Sequence, residues 1–292
     1  MAIEKLKEWE KLRFGMFIHF GMSTFDGDDL SKGDKPSEVY APDKLDVEQW
    51  ILLAKEARMK YAVLTAKHVS GHCLWPTAYN DYHVGSSGNT VDVVGEFVKY
   101  CRIHGIVPGL YYCSWDNHSR FGSLTPTDLG PGKGFTTQEY RDFQLNQLRE
   151  LLTSYGAIGE IWIDIPFVLP RDFRHRQYSE IAKLQPDAVI VANNCLEGGY
   201  SVKVDKTWPT DVLTLERILP ESSEVKERIY EIEGKKYYIP AEVCDTVGKA
   251  WFWDEGDKPK SDGAVRDVFN SYAKKSKFSS ECGSGQAWKD TG

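Results

Sequence analysis

A chain of 292 residues, 41% hydrophobic and 13% aromatic, is long enough to bury a large core as one big domain or two small ones. Its 43 acidic residues outnumber 36 basic ones and no basic run occurs, so neither nucleic acid nor an anionic membrane is expected as partner. A small neutral or polar substrate fits better.

No apolar run reaches the roughly 18 residues of a membrane span. The N-terminal Met-Ala-Ile-Glu-Lys-Leu lacks the basic-then-apolar layout of a signal peptide, so no leader is expected on the chain as given. Cys73, Cys101, Cys113, Cys195, Cys244 and Cys282 are scattered with no C-x-x-C pair, which reads as core thiols and not as a zinc site or disulfide framework.

In chain order, residues 4–12 suit a short charged helix, and the apolar strand 14–20 delivers His19. A Gly/Asp-rich loop follows. Leu45, Trp50, Leu53 and Ala54 then recur at helical spacing within 45–59. Residues 61–67 form the second strand, ending at His68; the next loop carries His72, Trp75 and His83, and 91–103 reads as a helix through Val94, Phe97, Val98 and Cys101. Strand 107–113 contains Tyr111 and is followed by Ser114, Trp115, Asp116 and His118.

A Gly/Pro/Thr loop leads to a helical run over 137–155, and residues 159–166 form a short buried strand, Gly-Glu-Ile-Trp-Ile-Asp-Ile-Pro, that Pro166 stops. Asp164 stands at its C-terminal end. A helix over 172–184 precedes strand 188–192, which ends at Asn193 and Asn194, and 211–216 is a sixth strand.

Repeated strand-helix units imply a parallel sheet, and the His, Asp and aromatic residues cluster after the strands. That is the layout of a (β/α) barrel with its site on the C-terminal face. A doubly wound open sheet is the poorer alternative, because no Gly-x-Gly-x-x-Gly turn follows an early strand. The expected organisation is one barrel domain spanning 1–292.

Two carboxylates at strand ends, ringed by Trp and His, fit glycoside hydrolysis, and aromatic faces suit the C–H side of a sugar. Asp164 is the first candidate, although an Asp at a strand end also caps turns. Its partner is Glu216 or Glu242; spacing does not choose between them. His19, His68, His72 and His118 admit a metal reading, but no helical H-x-x-x-H pair occurs, so no metal or other cofactor is expected. The absence of a G-x-S-x-G elbow argues against a Ser-His-Asp hydrolase.

The strand ends spell F-G-M-F-I-H-F-G, K-Y-A-V-L-T-A-K-H, C-L-W-P-T, G-L-Y-Y, E-I-W-I-D and A-E-V-C-D-T in that order. Over residues 14–272 this set resembles the α-L-fucosidases of glycoside hydrolase family 29. The resemblance implies a distorted (β/α)8-like TIM barrel and a retaining exo-α-L-fucosidase acting on fucosylated oligosaccharides or glycoconjugates. Asp164 falls on the nucleophile position, and Glu216, in D-V-L-T-L-E, is favoured over Glu242 as acid/base. His19, His68, Tyr111 and Trp162 fall on positions lining the fucose pocket, with Trp75 and Glu38 completing the expected substrate-binding set.

The chain departs from the family pattern at three places. Lys67-His68-Val69-Ser70-Gly71-His72 stands where many members read K-H-H-D-G-F; Val39 and Tyr40 follow Glu38 where a Trp is usual; and no C-terminal β-sandwich is expected on the chain as given. A barrel that binds fucosylated glycans without cleaving them, or a truncated inactive fucosidase, is the alternative function.

The end of the chain is Ser/Gly-rich and polar where a barrel needs a closing apolar strand. Codons allowed by the residues from Lys274 onward, relieved of one A, read KKANFLLNVAPD, the family's last motif. Residues from about 276 to 292 are therefore expected to be a frame-shifted tail, leaving the barrel incomplete at its C-terminal end.

Overall fold

The computed structural model describes residues 3–119, 137–193, 204–217, 228–272 and 277–283. The six strands anticipated from sequence form as β1 (Phe14–His19), β2 (Tyr61–Lys67), β3 (Val107–Cys113), β4 (Glu160–Asp164), β5 (Val189–Ala192) and β6 (Leu213–Glu216). Helices α1 (Ile3–Glu10), α3 (Val47–Glu56), α4 (Val93–His104), α5 (Gln138–Ser154) and α6 (Arg171–Leu184) correspond to the anticipated helical runs. Their starts are chemically marked: Asp46, Asp92 and Thr137 accept the backbone N–H groups of Gln49, Gly95 and Tyr140.

A five-residue helix, α2 (Met22–Asp26), follows β1, and α7 (Asp262–Tyr272) lies near the end. β7 (Ile229–Ile232) and β8 (Lys235–Tyr238) form an antiparallel hairpin that sequence reasoning passed over. Its turn is Glu233-Gly234, both with positive φ (53° and 74°). A Glu in place of the usual Asn or Asp hid the turn signal.

β9 (Ala241–Thr246) and β10 (Lys277–Gly283) complete an eight-stranded sheet of order β5-β4-β3-β2-β1-β10-β9-β6, with every neighbouring pair parallel. Its two outer strands meet: Asp211 N donates to Ile190 O at 2.8 Å, Ile190 N to Asp211 Oδ2 at 3.0 Å, and Ala192 N to Thr210 Oγ1 at 3.0 Å.

One expectation is corrected here. Residues 277–283 form a strand, seated between β1 and β9, where the polar composition predicted none. Ladder bonds use the backbone, and the facing edges of β1 and β9 offer donors and acceptors whatever the side chains of the intervening segment. The remainder of 276–292 lies outside the described residues, as do the loop 120–136 and Asn194.

Both faces of the sheet are buried, as parallel sheets require. One face, with Met16, Ile18, Leu64, Leu110, Ile161, Ile163 and Ile190, packs under the helices. Along the other, alternation brings Phe17, Tyr61, Val63, Tyr111, Trp162, Val191, Val212 and Cys244 into a second cluster. Leu6 and Trp9 of α1 join this cluster at the N-terminal end of the strands, where Trp9 Nε1 donates to Glu160 Oε2 at 2.6 Å. The C-terminal ends of the same strands carry the polar residues.

Candidate active site

Asp164 is the last residue of β4 and Glu216 the last of β6. Between them stands Asn193, immediately after β5. Its Nδ2 donates to Asp164 Oδ1 at 2.7 Å and to Glu216 Oε1 at 2.5 Å, while its Oδ1 accepts from Thr214 Oγ1 at 2.9 Å. Two oxygens within reach of one nitrogen lie at most about 5 Å apart, a separation at which paired carboxylates of glycosidases work. Tyr111 Oη donates to Asp164 Oδ2 at 2.6 Å, so both oxygens of that carboxylate are held.

The chain turns sharply after each carboxylate. Ile165 (φ 49°) and Arg217 (φ 52°) both occupy the left-handed region, which is rare for a bulky or β-branched side chain. Strain of this kind persists where surrounding contacts enforce it, and here it adjoins both acids.

Beneath Asp164, Phe17 packs edge-on against Trp162 and Tyr111, with centroids 5.2 and 5.8 Å away. Glu242 accepts from Trp162 Nε1 and Tyr61 Oη, each at 2.8 Å, and is buried. It sits level with Thr214, two residues below the Glu216–Cys244 pair, about 6–7 Å further down the strand. Gly15 makes room for this arrangement: a Cβ there would meet the Tyr61 ring at 2.2 Å.

His19 and His68 form the opposite wall. His68 stacks on Tyr111 with centroids 5.5 Å apart, and His19 lies 5.7 Å from His68. Phe252 meets both imidazoles edge-on, and Trp251 stacks on His19 while its other neighbour, the Arg217 guanidinium, lies 4.2 Å from its ring. Asp29, from the loop after α2, ties this wall down by accepting from Trp251 N and Phe252 N, both at 3.1 Å.

Burial sets the charge states. It pushes the Asp164 carboxyl up, opposed by hydrogen bonds from Tyr111 and Asn193. Glu216 is raised to about 7, by burial first and then by the Asp164 charge. Burial lowers His68 to about 3 and holds His19 well below the usual histidine range, with His68 and Arg217 adding to the effect on His19. Neutral imidazoles facing an acid pair suit neutral hydroxyl groups, and His68 Nδ1 has no hydrogen-bond partner among the described residues.

The structure thus gathers Asp164, Glu216, His19, His68, Tyr111 and Trp162, with Glu242 one level below. It does not bring in Trp75 or Glu38. Trp75 is buried on the helix side of the sheet, with Nε1 donating to Glu150 Oε2 at 2.6 Å, and Glu38 is exposed in a short turn, Ser37–Val39. His72 and His118 lie apart, packed against Tyr82. Asp29, Trp251 and Phe252 do not stand out in the sequence, and Asn193 stands out there only as the end of a strand. Asn193 alone carried a usable signal, its position directly after a strand.

A family model described as alpha-L-fucosidase matches residues 1–269. Alpha-L-fucosidase 1 of Arabidopsis thaliana is 32% identical over 281 residues, covering 90% of this chain and 51% of that protein. A solved structure from Bacteroides thetaiotaomicron superposes with a TM-score of 0.77 at 26% identity, over 95% of this chain and 62% of the other. Alpha-L-fucosidase isoenzyme 1 from Paenibacillus thiaminolyticus gives a TM-score of 0.76 at 24% identity, over 97% and 70%. The chain spans about half the length of the curated plant relatives it matches. With the family model matching most of its length, the chain belongs to the alpha-L-fucosidase family.

Proposed function

We propose that this protein hydrolyses terminal α-L-fucosides of oligosaccharides or glycoconjugates with retention of anomeric configuration, on a distorted (β/α)8 barrel. The observation that carries the reading is the single Asn193 amide shared by Asp164 and Glu216, which holds one oxygen of each acid close to the other, as the short separation of a retaining pair, roughly 5–5.5 Å, requires. The meeting of β5 with β6 supports the closed barrel.

In this reading Asp164, ionised, attacks the anomeric carbon while protonated Glu216 gives its proton to the departing glycosidic oxygen. The covalent fucosyl ester on Asp164 is then hydrolysed by a water whose proton returns to Glu216. His19 and His68 bond sugar hydroxyls, and Phe252 and Trp251 cover the apolar face of the ring. The floor of Phe17 and Trp162 favours end-on entry of one terminal residue. Glu242 holds the Trp162 indole.

The test is hydrolysis of 4-nitrophenyl α-L-fucoside followed by proton NMR. Release of the α-anomer first, and its loss in Asp164→Ala, is the expected result; first release of the β-anomer, or full activity in Asp164→Ala, overturns the reading.

A further inference from the structure

Asn193 has a geometry that simple packing does not require. Its amide has two N–H bonds, and the two short contacts of Nδ2 use one for each carboxylate. The Thr214 hydroxyl, bonded to Oδ1, opposes rotation of the amide that would put its oxygen against two acids. The backbone is held too, since Asn193 N donates to Ile163 O at 2.8 Å and so continues the β4–β5 ladder. Asn193 is 2% exposed.

We infer that Asn193 is a positioning residue that joins Asp164 and Glu216 into one hydrogen-bonded unit and directs the Glu216 proton onto Oε2, the oxygen its amide does not engage. An amide N–H can bond Oε1 only as an acceptor, so a neutral Glu216 carries its hydrogen on the other oxygen, available to a leaving group. For Asp164 the same amide stabilises the anion. This deepens the retaining-hydrolase reading and rests on it for its catalytic meaning, while the coupling of the two acids stands on geometry alone.

Among the described side chains, the other titratable or charged groups facing the pair are Tyr111 and Cys113 on β3, Arg217 after β6, and His19 and His68 from β1 and β2. Glu242 on β9 lies below. None of these groups is seen to bond both carboxylates, so among the described side chains the direct link between the two acids is Asn193.

The experiment follows the carboxyl carbons of Asp164 and Glu216 by 13C NMR through a pH titration, in wild type and Asn193→Ala, with pH–rate profiles on an aryl fucoside in parallel. Signals are assigned with Asp164→Asn and Glu216→Gln. Loss of a donor to both carboxylates should raise both midpoints by about one pH unit, with the acid limb of kcat/KM moving up by the same amount. Unchanged midpoints in folded Asn193→Ala overturn the inference even if activity falls. If Asn193→Ala does not fold, Thr214→Val carries the test, because an unrestrained amide should shift both midpoints in the same direction by a smaller amount; unchanged midpoints there overturn it equally. Shifted midpoints in a protein that hydrolyses no fucoside would uphold the coupling and sink the hydrolase reading instead.

Discussion

Tyr111 donates its hydroxyl hydrogen to Asp164 Oδ2 at 2.6 Å, across neighbouring strands whose register pairs Cys113 with Asp164. A hydrogen bond to a charged acceptor is worth about 1.5–3 kcal/mol. Tyr111→Phe keeps the ring that stacks on His68 and removes this bond, together with the hydroxyl's weaker contact to the Cys113 thiol. The expected outcome is a fall in kcat/KM of roughly 10- to 100-fold. Because the bond favours the carboxylate form, the acid limb should also move to higher pH. A pH–rate profile with an unmoved acid limb would count against the bond's importance.

The two glutamates separate by leaving group. Glu216→Ala should slow natural fucosides far more than activated aryl fucosides, since an acid catalyst matters most when the leaving group is poor. Glu242→Ala, which frees the Trp162 indole and the Tyr61 hydroxyl from a buried acceptor, should depress both substrates alike and lower thermal stability. Kinetics on the two substrate classes, with melting temperatures alongside, decide the assignment; the leaving-group signature at Glu242 would reverse it.

Glu216 also links activity to stability. Its folded value of about 7 lies above the ordinary glutamate value near 4.3, so the folded state holds a proton that the unfolded chain has lost between those pH values. Stability from this group therefore falls as pH rises from about 4.3 and levels off above about 7. Glu216→Gln, always neutral, should be more stable than wild type at pH 8 by roughly 1–3 kcal/mol and nearly equal to it at pH 4. Denaturant melts at the two pH values measure the difference. In the proposed role Glu216 acts in its protonated form, so hydrolysis should decline above about pH 7.

Lys67 and Asp116 form a fully buried ion pair at 3.0 Å, with Tyr112 Oη also accepting from Lys67 Nζ at 2.9 Å. The pair ties the end of β2, just before His68, to the loop after β3. Lys67→Met leaves Asp116 without its cation and should cost about 3–5 kcal/mol. Adding Asp116→Asn removes the uncompensated charge and should recover a good part of that loss. A double mutant no more stable than Lys67→Met, by urea denaturation, would show that the pair's charge is not what matters.

The strand-helix order and the identity of the strand-end residues were legible in the sequence, because helical and strand spacing are local properties and each strand is bounded by its own turn residues. His19, His68, Tyr111, Trp162, Asp164 and Glu216 could be named on that basis together with the family motifs. What strand spacing could not convey was depth. Glu216 and Glu242 both sit on strands entering the same face, and only the β6–β9 register puts one at the mouth and the other below it beside Trp162. Trp75 misled for a related reason: an indole after a strand can turn toward the mouth or back under a helix, and its bond to Glu150, 75 residues on, chose the helix. Asn193 became significant only when β4, β5 and β6 were assembled, since its two acceptors lie 29 and 23 residues away in sequence. The strand at 277–283 shows the converse limit, for its side chains argued against a strand and the backbone edges of β1 and β9, invisible in any local pattern, made one.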